Sequence, residues 1–142
     1  MRIVLAGDHA GFAYKQEVLA YLLSKGLDAH DAGTHSNQSC DYPDFIHPAA
    51  TKIEQGVFDI GLFFCGSANG VAITANKHQG IRAAICWNTE IAQLARLHNN
   101  ANVICVPCRF VTLASAIEMI DSFLNTAFEG GRHQLRVNKI PC

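Results

Sequence analysis

Residues 58–76 read FDIGLFFCGSANGVAITAN, from Phe58 to Asn76. After Asp59 the segment carries no charge: Ile60 to Cys65 is an apolar run of strand length, and a Gly-Ser-Ala-Asn-Gly loop then opens a helical pattern. A strand buried on both faces, feeding a glycine-rich turn and a helix, is the repeating unit of a parallel α/β sheet. The same unit puts Cys65 at a helix N-terminus, where free amide N–H groups and the helix dipole favour negative charge and lower a thiol pKa. Two readings of Cys65 stand at this point. It is either a reactive thiolate beside an anion site or a small buried hydrophobe above a tight turn made by Gly66 and Gly70.

Short apolar runs alternate with helical patterns along the rest of the chain. The strand candidates are Ile3–Ala6, Leu27–Asp31, Ile60–Cys65, Ala83–Cys86 and Val103–Val106, all taken as buried on both faces. Between them, Val18, Leu19, Leu22 and Leu23 form an apolar stripe at helical spacing, closed by Lys25-Gly26. Asp41-Tyr42-Pro43 reads as an N-cap followed by proline, opening a helix towards Gln55-Gly56. A further helix opens at Asn88-Thr89-Glu90 and runs to about His98, and another spans Thr112 to Phe128, stopped by Gly130-Gly131. The order βαβαβαβαβα predicts one domain over residues 1–142. It is α/β and doubly wound (Rossmann or flavodoxin-like), a five-stranded parallel sheet flanked by helices. The tail, residues 132–142, is too short for its own core and is expected to dock on this domain or on a partner subunit.

Composition narrows the function. The chain has 142 residues, 49% of them hydrophobic and 16% charged, which describes a globular protein. A net charge of −1 leaves no basic footprint for nucleic acid, so any anion site must be built locally. No stretch has the length of a membrane span, and Met1 leads straight into a strand-like RIVLAG. A cytoplasmic enzyme is therefore expected, with Cys40, Cys65, Cys86, Cys105, Cys108 and Cys142 as reduced thiols. Cys105-Val106-Pro107-Cys108 has redox-pair spacing but follows the last strand, and zinc would need two more ligands, so the pair is read as coincidental.

Two strand-to-helix turns carry glycines at one spacing: Gly7-Asp8-His9-Ala10-Gly11 and Gly66 to Gly70. If the first and third strands are neighbours, both loops face one crevice at the carboxyl ends of the strands. Neither loop is a Walker motif or a G-x-G-x-x-G, which disfavours a nucleotide. Asp8 and His9 also suit a helix-capping loop. His98-Asn99-Asn100 suits a helix C-terminus, and Arg109, Arg132 and Arg136 suit solvated surface charge. Singly each reads as bland; together, at strand ends and in the tail, they point to an anion-binding site.

These residues resemble the ribose-5-phosphate isomerase B family of sugar-phosphate isomerases, which includes galactose- and allose-6-phosphate isomerases. The resemblance rests on GDHAGF (Gly7 to Phe12), DYPD (Asp41 to Asp44), CGSANG (Cys65 to Gly70), ANK (Ala75 to Lys77) and GIRAA (Gly80 to Ala84). HNNANV (His98 to Val103), Arg109 and EGGRHQLRV (Glu129 to Val137) complete it. It implies an aldose–ketose isomerase acting on ribose 5-phosphate through a cis-enediolate, without cofactor or metal. Cys65 would be the base, the Gly66–Gly70 loop and Asn99 would hold the enediolate, His98 would open the sugar ring and Ser67 would help to move protons. Asp8 and Tyr42 would meet the sugar, while His9, Arg109, Arg132 and Arg136 would clamp the phosphate. The resemblance also implies a homodimer, or a tetramer, with the tail arginines acting across the interface. The alternatives are a 6-phosphate aldohexose as substrate, a sugar-phosphate binding subunit without catalysis, and a thiol redox protein. One departure is Ala68, where the resemblance implies glycine. A methyl there is expected to crowd the sugar or hold the loop at negative φ.

Overall fold

The computed structural model describes residues 1–142. Its strands are β1 (Arg2–Gly7), β2 (Asp28–Asp31), β3 (Ile60–Cys65), β4 (Ala83–Ile85) and β5 (Val103–Pro107). Its helices are α1 (Phe12–Ser24), α2 (Pro43–Glu54), α3 (Asn69–Ala75), α4 (Thr89–Asn99), α5 (Leu113–Asn125) and α6 (Arg132–Val137). All strand pairs are parallel, in the order β2-β1-β3-β5-β4. β1 and β3 are therefore neighbours, as the shared-crevice argument required. β5 inserts between β3 and β4, so the strand order departs from the chain order at this end of the sheet.

β3 shows why the sheet needs helices on both sides. Ile60, Leu62 and Phe64 pack into one core with Val18 and Leu22 of α1, Ala92 of α4 and Met119 and Phe123 of α5. Phe63 and Cys65 face the opposite core, built from Ile46, Ala49, Ala50 and Ile53 of α2 and Val71 and Ala75 of α3. Period-two alternation across an entirely apolar strand thus divides its side chains between two cores.

The edge strands correct the expectation of uniform burial. β2 alternates exposed and half-buried residues and β4 is half-buried throughout, because each has a neighbour on one side only. The free edge of β4 is closed by Asn76, whose side-chain amide donates to Ala83 O at 2.9 Å and accepts from Ala83 N at 2.8 Å. This occupies backbone groups that would otherwise template another strand.

Helix limits also differ from the sequence reading in places. Leu23 lies at the solvent margin of the α1 stripe, 52% exposed. Tyr42, not Asp41, occupies the cap position of α2, and no side chain caps that helix. α5 ends at Asn125 rather than Phe128, because Arg96 Nε draws Thr126 O towards α4 at 3.2 Å and Glu129 N donates to Leu97 O. The tail forms α6, which packs on α4 of its own chain through His133 and Val137, while Arg132, Leu135 and Arg136 stay exposed.

Candidate active site

The first and third βα turns meet over Phe64. A Cβ added at Gly11 would lie 2.4 Å from Phe64 O, so only glycine lets the start of α1 sit this close to β3. The close approach brings Asp8 to Cys65: the thiol donates to Asp8 Oδ2 at 3.1 Å. Asp8 Oδ1 accepts from Ala10 N at 2.9 Å and Gly11 N at 3.1 Å. Asp8 Oδ1 thus closes the turn before α1, whose cap residue Gly11 supplies no side-chain cap, while Oδ2 faces the thiol. Asp8 and Cys65 are nearly inaccessible, at 5% and 8% exposure, and they floor a cleft of about 330 Å³ that His9, Gly66, Ser67 and Arg109 complete.

The electrostatics of Cys65 reverse the sequence expectation. Burial pushes the thiol pKa up, and the hydrogen bond to Asp8 and its negative charge push it further. Hydrogen bonds from the Ala68 and Ser67 backbone pull the other way without prevailing. The helix N-terminus thus favours the thiolate, but the anion already beside it favours the thiol more.

Arg109 lies across the cleft. Its N–H donates to Gly66 O at 3.0 Å, and a Cβ on Gly66 would sit 3.2 Å from the Arg109 Cδ, Nε and Nη1 atoms. On the other side the Tyr42 ring packs on Gly70, where a Cβ would lie 2.5 Å from the ring. His9 Nδ1 accepts from Cys40 N at 3.3 Å. Ser67 is exposed, and its Oγ accepts from Asn69. Ala68 holds φ 64° and ψ −5° and is fully buried in the core beneath the loop. Its methyl has not kept the loop at negative φ, and it points away from the cleft.

One chain does not bring all the expected residues together. In the register of β3 with β5, Val103 is level with Gly61 and Pro107 with Cys65. α4 runs against the strands, so His98 and Asn99 at its end lie beside the start of β5, at the opposite end of the strands from Cys65. Four residue steps of β5, about 13 Å, separate the two levels. Left-handed Asn100 turns the chain there, and α6 carries Arg132 and Arg136 to this same end of the sheet by packing on α4. The expected constellation is split into two halves. Asp8, His9, Tyr42, Cys65, Gly66, Ser67, Gly70 and Arg109 share the carboxyl end of the strands, while His98, Asn99, Arg132 and Arg136 share the amino end.

Several contacts had no signal in the sequence. His133 stacks on His98 with ring centroids 4.1 Å apart and an interplanar angle of 10°, and Glu129 lies against both. Lys15, fully buried, pairs with Asp31 at the end of β2, and Asp31 also accepts from Gly33 N, beside the Gly7 loop. Burial raises the Asp31 pKa, but hydrogen bonds from Lys15, Gly33 and Gln16 outweigh it and hold the carboxyl below its usual range. Cys105 and Cys108 face opposite cores, and burial drives the Cys108 thiol up to about 12 and Cys105 well above its ordinary value. That is the reverse of a reactive pair.

A family profile described as Ribose/Galactose Isomerase matches residues 3–140. Ribose-5-phosphate isomerase B of Escherichia coli is 40% identical over 139 residues, covering 98% of this chain and 93% of that protein. A putative sugar phosphate isomerase of Rickettsia bellii is 40% identical over 138 residues, covering 97% and 96%. Among solved structures, a ribose 5-phosphate isomerase from Thermotoga maritima superposes with a TM-score of 0.97 at 44% identity, covering 99% of this chain and 97% of that one. Ribose-5-phosphate isomerase B from Mycoplasma genitalium, with bound ribulose-5-phosphate, gives a TM-score of 0.94 at 40% identity, covering 98% and 93%.

Proposed function

The chain belongs to the ribose/galactose isomerase family, and from that premise we propose that it interconverts ribose 5-phosphate and ribulose 5-phosphate at a site shared by two copies of the chain. The observation that carries the shared site is the placement of Cys65 and His98 at opposite ends of the strands of one sheet. A two-fold pair of chains supplies each half from a different copy. The apolar surface beside Asn99, where Ile81, Ala83 and Ile140 border a cavity of about 320 Å³, supports burial against a partner.

In this reading His98 and Asn99 of one copy face Cys65 of the other. His98 moves protons to open the sugar ring, a general acid–base role that an imidazole suits. Cys65 then takes the C2 proton and returns it at C1. The resting thiol gives its hydrogen bond to Asp8, which keeps the sulfur protonated. When a sugar hydroxyl reaches Asp8, the thiol proton passes along this bond to Asp8 Oδ2, and the Ser67 and Ala68 N–H groups hold the thiolate that results. Backbone N–H groups of Gly66–Gly70 and the Asn99 side chain meet the charge that develops on the enediolate oxygens. His9 and Arg109 of one copy and Arg132 and Arg136 of the other clamp the phosphate.

Mixing two inactive variants tests the shared site. Cys65→Ala and His98→Asn each abolish isomerisation. Random re-pairing of the two restores about a quarter of wild-type activity, since half the pairs are mixed and each mixed pair has one intact site. No recovery from verified mixed pairs refutes the shared site. The substrate is tested separately, by comparing kcat/KM for ribose 5-phosphate with allose and galactose 6-phosphates. A hexose preference overturns the pentose assignment.

A further inference from the structure

The groups gathered at the end of α4 carry chemistry beyond ring opening. His98 Nε2 and His133 Nε2 each lie 3.7 Å from one oxygen, Glu129 Oε2. The ligand-competent atoms of all three residues fall within 4.8 Å of one another. At 3.7 Å neither contact is a hydrogen bond. His133 Nε2 is consequently left without a partner, although only 9% of its side chain is exposed. Buried imidazole nitrogens rarely go unmatched, and this one lies 3.7 Å from the Glu129 carboxylate.

We propose that His98 Nε2, His133 Nε2 and Glu129 Oε2 form a binding site for a divalent transition metal of the Zn²⁺ class. Two imidazoles and one carboxylate are a known three-ligand donor set for zinc, with a fourth position open to water. Metal–nitrogen and metal–oxygen bonds of about 2.1 Å place neighbouring tetrahedral ligands roughly 3.4 Å apart. The two 3.7 Å separations already approach that spacing.

The remaining adjustment falls on the mobile partners. The His98 ring, stacked nearly parallel to His133, must turn out of the stack so that both lone pairs converge. It has room to do so, with its side chain 37% exposed at the helix end, and Glu129 is 55% exposed. His133 stays fixed in the contact between α6 and α4. Burial lowers its pKa, and His98, Arg132 and Arg136 lower it further against the opposing pull of Glu129. The two arginines also oppose a cation at this place, which makes occupancy readily reversible.

The other histidine pair is not equivalent. His47 Nδ1 and His78 Nε2 are 2.9 Å apart and spend their lone pair and proton on each other, with Glu54 holding the far side of His78. Metal at the proposed site takes the His98 nitrogen that ring opening needs, so occupancy inhibits the enzyme. That consequence, unlike the binding itself, rests on the proposed isomerase activity.

Co²⁺ titration of the intact protein, followed by d–d absorption, reads the site without reference to turnover. One tetrahedral Co²⁺ per chain is expected, displaced by Zn²⁺ and retained in His47→Gln. Affinity falls at least about tenfold in both His133→Gln and the surface variant Glu129→Gln. Absence of the tetrahedral spectrum, or a loss smaller than this in either variant, overturns the proposal. In the activity arm, Zn²⁺ inhibits the wild type reversibly with EDTA and does so more weakly in Glu129→Gln. Equal inhibition of both proteins refutes the regulatory consequence while leaving the binding result to stand.

Discussion

Replacing Ala68 by glycine sets two effects of one methyl group against each other. Ala68 is a left-handed residue, φ 64° and ψ −5°, and its side chain is wholly buried. For a residue with a Cβ that conformation costs about 1–2 kcal/mol, which glycine recovers. Against this, removing a buried methyl loses about 0.8 kcal/mol of burial. The freer unfolded chain of the glycine variant costs a further 0.4–1 kcal/mol or so. The balance lies within about 1 kcal/mol of zero. With a urea m value of about 2 kcal/mol/M, the unfolding midpoint moves by no more than about 0.5 M. Midpoints must be compared at one protein concentration, because association of copies adds to stability. Since the methyl points into the core below the loop, kcat/KM for ribose 5-phosphate stays within about threefold of wild type, a barrier change under about 0.7 kcal/mol. Ala68→Val is the contrasting control: a β-branched side chain at positive φ in a filled core loses about 2–4 kcal/mol. A stabilisation of Ala68→Gly above about 2 kcal/mol, or a tenfold change in its kcat/KM, would refute the reasoning, because the methyl would then be straining the loop or meeting the sugar.

Gly11→Ala drives a Cβ to 2.4 Å from Phe64 O, a backbone atom that cannot turn aside. A loss of about 3 kcal/mol or more in urea unfolding is expected, with a fall in kcat as Asp8 is displaced from Cys65; wild-type stability would contradict the close-packing argument. Asp8→Asn removes the anion that helps hold the Cys65 proton, so the thiol pKa falls and the pH midpoint for Cys65 alkylation, followed by peptide mass spectrometry to exclude Cys40 and Cys142, moves lower. An unchanged or higher midpoint counts against the assigned hydrogen bond. Lys15→Met strands Asp31, though Gln16 and Gly33 still donate to that carboxylate, so the loss sits at the lower end of the buried-pair range, about 3 kcal/mol. A loss below about 1 kcal/mol in urea unfolding would show that the pair is not stabilising.

The βα units were legible wherever the signal is local. The apolar run Ile60–Cys65 is a strand, Asn88 does cap α4 by accepting from Ile91 N, and glycine at positions 7, 11, 66 and 70 marked both turns of the cleft. The end of α5 was not legible, because Arg96 from another helix captures Thr126 O before the glycine stop is reached. Glu129 and His133 carried no role of their own in the sequence, since their meaning comes from α6 folding onto the end of α4.

Sequence alone determined the α/β class and the two glycine turns, because each depends on interactions within one turn or one strand. Tertiary structure alone decided how the site residues divide. The antiparallel course of α4 sends His98 to the far end of the strands, and the meeting of β1 with β3 sets Asp8 against Cys65. A thiol's proton affinity and a site's completeness depend on which groups approach through space, and segments distant in the chain carry no local record of that approach.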